Sequence, residues 1–349
     1  MFFMKKPLSI ILCIIMVFCL AACTDGNKES SSSLPADVQS SSEATDSREK
    51  FELTAAKAVT SFKDSENVII CWGDSITKGH TLGDGWSYPE QLQGDIGNQF
   101  RVINAGVNGE PTYTIMSRAG AIDMVLTNDI TFAAGEDTVE LDRSLFTTAD
   151  GNEITYKGDG NELKTNTVII GGVKYTMSVK EGSAWDQKIY CLTRPSSSSA
   201  LTVKKGTEAQ FDYSAQYSKN YCNIILSGAN DNVKTDADLN ALIEKQKKIA
   251  ALSDKYIVIV PFHSSTDYTE AYKEAFGDNA LSVREYFQTD AFADYDVEKT
   301  KSDERSIEQS NWIPSTFTMT RMDVHLNELG CKVLADKVYE KGVELGYWS

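Results

Sequence analysis

The stretch Asn67-Val-Ile-Ile-Cys-Trp-Gly-Asp-Ser-Ile-Thr77 decides the fold that we expect for this chain of 349 residues. Its first six residues form a short, almost continuous apolar run, which is typical of a strand buried on both faces of a parallel sheet. Gly73, Asp74 and Ser75 follow directly. Because ligands bind at the carboxyl edge of open α/β sheets, Ser75 is a candidate functional residue. Asp and Ser are also ordinary helix caps, so this triplet alone does not exclude a purely structural role.

Similar apolar runs recur along the chain, and patterns of helical period lie between them. The other runs lie at 100–104, 221–226 and 256–260. The clearest helices are predicted at 237–252 and 326–345, where apolar residues recur on one stripe. Such alternation of buried strands and helices predicts a doubly wound α/β sandwich.

The stretch 128–212 departs from this alternation. It is rich in Thr, Val, Gly and Asp, and it contains segments in which apolar and polar residues alternate. The segment Val168-Ile-Ile-Gly-Gly-Val-Lys-Tyr175 predicts a hairpin that closes on its two glycines. We therefore predict a small all-β insertion at 128–212, which divides the α/β domain into a first part at 51–127 and a second part at 213–349.

The first fifty residues predict export rather than a folded domain. Two lysines precede an apolar run that is too short to span a membrane comfortably. The following Leu20-Ala-Ala-Cys23 resembles the lipobox of bacterial lipoproteins, which implies a signal peptide at 1–22 and lipidation of Cys23; a plain signal peptide or an uncleaved anchor is the alternative. Residues 23–50 are rich in serine and predict a flexible tether. We expect an exported lipoprotein anchored to the outer face of the cell membrane.

The charge of the chain narrows the choice of partners. Acidic residues outnumber basic ones by 50 to 34, which gives a net charge of −16 at pH 7. Nucleic acids and anionic lipid headgroups would be repelled by such a chain, so neither is expected as the main partner. Contact with a membrane is expected only through the lipid at Cys23.

The cysteines do not indicate a disulfide framework or a metal site. Cys71 and Cys222 lie in predicted strands and Cys331 lies in the predicted last helix, so we expect these three to be small core residues. Cys191 lies in the predicted insertion and could take part in a disulfide bond in an exported protein. None of them has the sequence spacing of metal ligands.

Three further polar segments adjoin predicted elements of the α/β domain. Asn104-Ala-Gly-Val-Asn-Gly-Glu110 follows the second strand, Ser227-Gly-Ala-Asn-Asp231 follows the third, and Asp323-Val-His-Leu-Asn327 precedes the last helix. Together with Gly73-Asp-Ser75, these blocks resemble, in kind and in order, the four motif blocks of the GDSL/SGNH hydrolase family. The resemblance covers 51–127 and 213–349 and leaves out the predicted insertion. It implies the flavodoxin-like SGNH fold, a three-layer α/β/α sandwich with a parallel five-stranded sheet.

The resemblance assigns a catalytic role to residues in each block. Ser75 corresponds to the nucleophile and His325 to the general base, while the backbone N–H groups of Ser75 and Gly109 and the side-chain amide of Asn230 correspond to the oxyanion hole. These roles agree with the chemistry, because a serine hydroxyl becomes a good nucleophile only when a base such as imidazole takes its proton. We expect Gly109 to permit a close backbone approach and Gly106 to form a turn.

One position departs from the family pattern. The family usually has Asp three residues before the histidine, where this chain has Met322, and the nearest carboxylate is Asp323, two residues before His325. We expect Asp323 to reach the second imidazole nitrogen through a small backbone shift. The alternatives are that a backbone carbonyl or another acid orients the ring, or that the site works as a weaker Ser–His dyad.

The remaining histidines and one tryptophan are weaker candidates. The chain has three histidines, and His80 lies too close to Ser75 along the chain to reach back to it easily. His263 follows the strand predicted at 256–260 and could line the rim of the cleft. Trp86 could stack on a sugar, or it could simply cover a helix.

The sequence therefore predicts a serine hydrolase that acts on carboxylic ester bonds through an acyl-enzyme, with no cofactor and no metal. An exported and tethered domain favours a short acyl group, such as acetyl, on a glycan. A lipolytic or lysophospholipase-type esterase is the alternative, because one fold supports both chemistries. A hypothesis of another class is a non-catalytic glycan-binding lipoprotein, which the unusual position of Asp323 would favour.

Overall fold

The computed structural model describes residues 51–64, 67–141, 145–148, 151–154, 167–181, 188–217 and 220–349. The predicted signal peptide at 1–22 and the tether at 23–50, with the lipidation site Cys23, lie outside the described residues. Within the ranges given above, no helix combines the length and the apolar character that a membrane crossing requires.

The described residues contain fifteen strands. In chain order they are β1 Val68–Gly73, β2 Arg101–Gly106, β3 Met124–Leu126, β4 Ile130–Phe132, β5 Thr138–Leu141, β6 Phe146–Thr148, β7 Glu153–Ile154, β8 Thr167–Ile170, β9 Val173–Glu181, β10 Lys188–Thr193, β11 Leu201–Val203, β12 Glu208–Phe211, β13 Cys222–Leu226, β14 Tyr256–Ile259 and β15 Ala280–Leu281.

Ten α-helices and two single 3-10 turns lie among these strands in the described residues. The helices are α1 Ser75–Lys78, α2 Tyr88–Ile96, α3 Thr112–Ala119, α4 Asp212–Gln216, α5 Asp236–Ala250, α6 Thr269–Phe276, α7 Arg284–Gln288, α8 Ala291–Asp294, α9 Lys301–Ser310 and α10 Glu328–Glu344, and the 3-10 turns are Gly277–Asn279 and Ser315–Phe317. The four predicted strands and both predicted helices of the α/β domain are confirmed to within two residues.

A parallel five-stranded sheet forms the frame of the α/β domain. Its strand order is β2-β1-β13-β14-β15, and every neighbouring pair is parallel. Strand β2 therefore lies on one side of β1, and the later strands β13, β14 and β15 lie on the other side. In open α/β sheets a ligand-binding crevice forms where the strand order reverses in this way, at the carboxyl ends of the two strands concerned. In this sheet that point lies between β1 and β13.

Strand β1 is buried along its whole length because helices cover both of its faces. Ile69 and Cys71 pack in a core that includes residues of α2 and α10, whereas Ile70 and Trp72 pack in a second core with α3 and α5. The near-continuous apolar run that predicted this strand therefore reflects burial on two sides.

A separate antiparallel region occupies the chain between α3 and α4. Eight strands form one sheet in the order β5-β10-β9-β8-β12-β3-β6-β7, and β4 pairs with β11. The predicted hairpin is confirmed, since β8 and β9 pair antiparallel with Ile170 opposite Val173 and only the two glycines between them. The sheet also includes β3, which lies before residue 128, because β3 pairs with β12 and β6 through its backbone.

The antiparallel region packs against α3, which contacts β12 and β7. At the amino end of α3, the Tyr113 hydroxyl donates a hydrogen bond of 3.0 Å to Oγ1 of Thr148 in β6. The region therefore reaches along α3 toward Thr112, the first residue of the helix, which adjoins the loops described below.

The cysteines of the described residues are buried, and no disulfide joins them. Cys71, Cys222 and Cys331 lie in the core, which confirms the prediction for these three residues. Cys191 is also buried, in β10, and forms no disulfide with another described cysteine. Burial raises the pKa of Cys331 to about 12, so this thiol stays protonated and unreactive.

Gly106 and Gly109, at and after the carboxyl end of β2, need glycine for different reasons, and the turn predicted at Gly106 is wrong. Gly106 is part of β2 and forms no turn; a Cβ atom built on it would lie 2.2 Å from the backbone nitrogen of Lys78. Gly109 has no atom within 4 Å of such a Cβ, but its φ is +71°. Close packing against α1 therefore requires glycine at 106, and a left-handed backbone favours it at 109.

Two alanine substitutions separate these roles. We expect Gly106→Ala to lower the free energy of unfolding by about 3 kcal/mol, because the new Cβ would clash with the backbone of Lys78, which cannot move aside as a side chain could. Gly109→Ala should cost about 1–2 kcal/mol through its φ alone, and Gly109→Asn should recover part of that loss, because Asn tolerates the left-handed region. Urea unfolding measures all three variants. Wild-type stability in Gly106→Ala would contradict the packing role.

Candidate active site

The carboxyl ends of three parallel strands bring three of the sequence blocks together. Ser75 follows β1, the loop 107–111 follows β2 and the loop 227–231 follows β13. The loops are also bonded to one another. The Val107 N–H donates to the Gly73 carbonyl at 3.1 Å, and Nδ2 of Asn230 donates to the Glu110 carbonyl at 3.1 Å. The site therefore lies at the point where the strand order reverses.

The fourth block completes a chain of three hydrogen-bonded side chains. Nε2 of His325 lies 2.9 Å from Oγ of Ser75, although the two residues are 250 positions apart in the sequence. Nδ1 of the same ring lies 2.8 Å from Oδ1 of Asp323. Ser75 is buried to 9% exposure, while His325 and Asp323 are about one quarter exposed. These distances permit a proton to pass from the hydroxyl to the imidazole.

Asp323 reaches the ring through an Asx turn. Its Oδ1 atom accepts a hydrogen bond from the His325 backbone N–H at 3.0 Å as well as from the ring, and this is the two-residue spacing that such a turn requires. The preceding Met322 has a φ of +60°, and its side chain is exposed. The small backbone shift expected from the sequence thus takes the form of one left-handed residue at the position where the family usually has Asp.

The environment of Asp323 keeps its carboxylate ionised. Partial burial raises the pKa of Asp323, but hydrogen bonds from the backbone N–H and the ring of His325 outweigh it and bring the pKa below 3.8. Oγ1 of Thr320 lies 3.3 Å from Oδ2 of the same carboxylate. An ionised carboxylate on Nδ1 fixes the ring orientation and stabilises the imidazolium that forms on the other side.

Neighbouring backbone and side chains hold the loop that carries Asp323 and His325. The Trp312 indole N–H donates to the Asp323 carbonyl at 3.0 Å, and the Met319 N–H donates to the His325 carbonyl at 2.9 Å. Asn327 then begins α10, because its Oδ1 caps the helix by accepting from the Gly330 N–H at 2.9 Å. The position of His325 is therefore set by the start of a long core helix.

Ser75 lies on the short helix α1, which is capped at both ends. Asp74 is the N-cap, and its Oδ1 accepts from the Ile76 N–H at 3.0 Å. At the other end the Gly79 N–H donates to the Ile76 carbonyl and the His80 N–H donates to the Ser75 carbonyl, which is the pattern of a Schellman motif. The capping interpretation of the Gly-Asp-Ser triplet is thus correct for Asp74, while Ser75 contacts His325.

Ser75 and the loops that follow β2 and β13 carry N–H donors that are not fully engaged in hydrogen bonds. The backbone N–H groups of Ser75 and Gly109 have no hydrogen-bond acceptor among the described residues. The Asn230 amide donates one proton to Glu110, which leaves its second N–H free to point elsewhere, and its side chain is exposed. Unengaged donors of this kind are what an oxyanion hole requires.

The acidic groups near Ser75 are neutralised in different ways. Glu110 pairs with Arg118 at 2.6 Å, and Asp231 pairs with Lys245 at 3.1 Å. Asp74 has no cationic partner among the described residues, and burial, together with the charges of Asp231 and Glu110, raises its pKa to about 7. The negative charge that would oppose an oxyanion is therefore reduced at each of these carboxyl groups.

Two of the weaker candidates lie apart from the Ser75–His325 contact. His263 lies beside Gly228, in the loop that carries Asn230, and burial and the nearby Arg284 charge lower its pKa to about 4. It is therefore neutral at pH 7. Trp86 is half-buried in a turn in which its N–H donates to the Gly83 carbonyl.

His80 lies closer to the site than its sequence position predicted. The Schellman motif folds the chain back, and the His80 ring lies with its centroid 4.7 Å from the centroid of the His325 ring, tilted by 41°. The following Thr81 has a φ of +65°, which is unusual for a β-branched residue. The glycine at position 79 is the feature of the sequence that could have predicted this reversal, because a left-handed glycine often ends a helix.

A further set of contacts, which the sequence did not identify, links the loop 107–111 to the loop 227–231. The backbone N–H and the hydroxyl of Thr112, the first residue of α3, donate to Oδ2 of Asp231 at 2.8 and 2.7 Å. The same hydroxyl lies 2.8 Å from Oγ of Ser227. No local pattern could reveal these contacts, because they join side chains more than one hundred residues apart.

The raised pKa of Asp74 predicts a pH-dependent stability. The pKa of about 7 in the folded state lies above the ordinary 3.8, so the protonated carboxyl favours folding below pH 4, and this contribution is lost as the pH rises through 7. Asp74→Asn keeps the oxygen that caps α1 but cannot ionise. We expect the variant to gain stability relative to wild type between pH 4 and 7, on the order of a few kcal/mol.

Urea unfolding at several pH values measures this difference directly. The variant and wild type share every other titratable group, so subtracting their unfolding free energies isolates the carboxyl of Asp74. A difference that stays flat from pH 4 to pH 8 would contradict the raised pKa.

A scan against models of protein families finds no match to this chain, and a search among curated proteins finds none either. Its function is therefore inferred from the four sequence blocks and from the geometry that they form.

Proposed function

We propose that this protein is a serine esterase of the SGNH type, with the α/β domain arranged as a three-layer α/β/α sandwich. The single observation that carries the proposal is the hydrogen-bonded series Asp323–His325–Ser75 at the carboxyl edge of the parallel sheet. The strand order and the helices on both faces of β1 support the sandwich. The series joins two segments that lie 250 positions apart in the sequence, and the loops that follow β2 and β13 adjoin it.

The first half of the reaction transfers the acyl group to the protein. Nε2 of His325 takes the proton of Ser75 as Oγ attacks the ester carbonyl carbon. The carbonyl oxygen becomes an oxyanion and accepts hydrogen bonds from the N–H groups of Ser75, Gly109 and Asn230. The C–O bond to the alcohol then breaks, and the alkoxide takes the proton from His325. Nδ1–H of His325 donates its hydrogen bond to Asp323 throughout, and the carboxylate is not itself protonated.

The second half of the reaction reverses the proton transfers with water as the nucleophile. His325 takes a proton from a water molecule, whose oxygen attacks the acyl carbon. The second tetrahedral intermediate uses the same oxyanion hole. When the bond between the acyl carbon and Oγ of Ser75 breaks, His325 returns the proton to the hydroxyl, and a carboxylic acid leaves.

We propose a short acyl group on a glycan as the substrate, in keeping with the predicted export and tether. The lipobox-like Leu20-Ala-Ala-Cys23 supports anchoring at the outer face of the cell membrane. The net charge of −16 supports a neutral polymer rather than an anionic lipid surface as the target. The four sequence blocks and the three-residue hydrogen-bonded series favour catalysis over glycan binding alone.

Hydrolysis of p-nitrophenyl esters by wild type and Ser75→Ala tests the proposed function. We expect wild type to hydrolyse the acetyl ester and Ser75→Ala to lose about 10⁴-fold or more in kcat, because the nucleophile is gone. Equal background rates for the two proteins would eliminate the esterase. A preference for octanoyl over acetyl esters would instead favour the lipolytic alternative, and release of acetate from acetylated glycans would identify the substrate class.

Asp323→Ala measures how far the Asx turn matters for catalysis. We expect kcat to fall by about 10²–10⁴-fold, since the ring then loses its orienting carboxylate, while KM changes little. Met322→Ala is the matched control, because it alters the adjacent left-handed residue and leaves the carboxylate in place. If Asp323→Ala retained wild-type kcat, another group would have to orient His325.

A further inference from the structure

The loop that carries Gly109 is tied to the sheet by a buried ion pair that takes no part in the proton transfers. Nε of Arg118 lies 3.2 and 3.1 Å from the two carboxylate oxygens of Glu110, and Nη2 lies 2.6 Å from Oε2. The exposures of the two side chains are 0% and 1%. A guanidinium held by both oxygens of a carboxylate is fixed in orientation as well as in position.

Arg118 is in turn anchored to the central strands. Its Nη2 donates to the Ala105 carbonyl in β2 at 2.7 Å, and its guanidinium lies 5.4 Å from the centre of the Trp72 ring in β1. The Trp72 indole N–H donates to Oδ1 of Asn223 in β13 at 3.0 Å. The Arg118 guanidinium is therefore held by direct contacts with β1 and β2 and, through Trp72, is connected to β13.

Glu110 connects this anchored cation to two donors of the proposed oxyanion hole. It directly follows Gly109, so the position of its side chain restrains one end of the residue whose N–H is a proposed donor. Its own carbonyl accepts the hydrogen bond from Asn230. We propose that the Glu110–Arg118 pair positions the oxyanion hole, an inference that rests on the proposed function. Both residues are positioning residues, because neither side chain reaches the Ser75 hydroxyl in the described contacts.

Stability alone does not account for an ion pair at this place. Burying two charges costs solvation free energy, and well-packed apolar residues of similar size often replace a buried pair with no loss of stability. Removing one partner leaves an unpaired buried charge and destabilises strongly. An apolar replacement of both partners should therefore keep the fold and lose only the directional constraint on Glu110.

The test compares Arg118→Met, Glu110→Met and the double variant in unfolding free energy, kcat and KM for p-nitrophenyl acetate. We expect the single variants to be destabilised and the double variant to regain most of that loss. The double variant should nevertheless keep a kcat roughly 10- to 100-fold below wild type, with KM nearly unchanged, because donors displaced from the oxyanion act mainly in the transition state.

Arg194→Met is the matched control for loss of a buried arginine. Arg194 also binds a carboxylate, that of Asp137 at 3.2 Å, and its guanidinium lies 5.1 Å from the Phe132 ring centre, but all three residues belong to the antiparallel region. We expect this variant to lose stability and to keep the kcat of its folded fraction. A kcat loss as large as that of Arg118→Met would overturn the positioning role.

The outcomes separate this inference from the proposed function. If Ser75→Ala is inactive and the double variant regains both stability and wild-type kcat, the pair is merely structural and the inference fails alone. If Ser75→Ala is as active as wild type, the proposed function fails first. If the double variant does not fold, Glu110→Gln replaces it in the measurement of kcat. It keeps the shape of Glu110 without the charge, and an unchanged kcat would overturn the inference.

Discussion

The burial of β1 on both faces is the constraint on which the remaining structure depends. All six residues of the strand are buried, and it pairs with β2 on one side and β13 on the other. Backbone hydrogen bonding in register places Gly73, Gly106 and Leu226 side by side at the carboxyl edge. Each loop that follows these strands must therefore leave the sheet at the same place, and the candidate site is assembled there.

Several acidic groups lie around the candidate site in a chain that is strongly acidic. In the proposed esterase reaction an oxyanion forms on the acyl carbonyl, and nearby carboxylates would raise its energy. Arg118 beside Glu110, Lys245 beside Asp231 and the raised pKa of Asp74 reduce this negative charge. Asp323, whose carboxylate contacts the His325 ring, lies on the far side of the imidazole from Ser75.

Much of the fold could be predicted from the sequence because local patterns reflect burial. Continuous apolar runs gave the four long strands of the parallel sheet, and alternating residues with two glycines gave the β8–β9 hairpin. Strand β15 has only two residues, which are too few to form a recognisable pattern. Strand β3 lies next to the helix α3, and its place in the antiparallel sheet could not be recognised before its partner strands were known.

The four polar blocks can be recognised from the sequence alone, and they indicated Ser75, His325 and Asn230 as candidates for the chemistry. How these groups are oriented depends on the tertiary structure. The left-handed backbone at Met322 brings Asp323 to the ring, and the close contact of Gly106 with α1 sets the position of the helix that carries Ser75. Backbone dihedral angles and contacts between distant segments fix such geometry, and no local pattern of residues encodes either one.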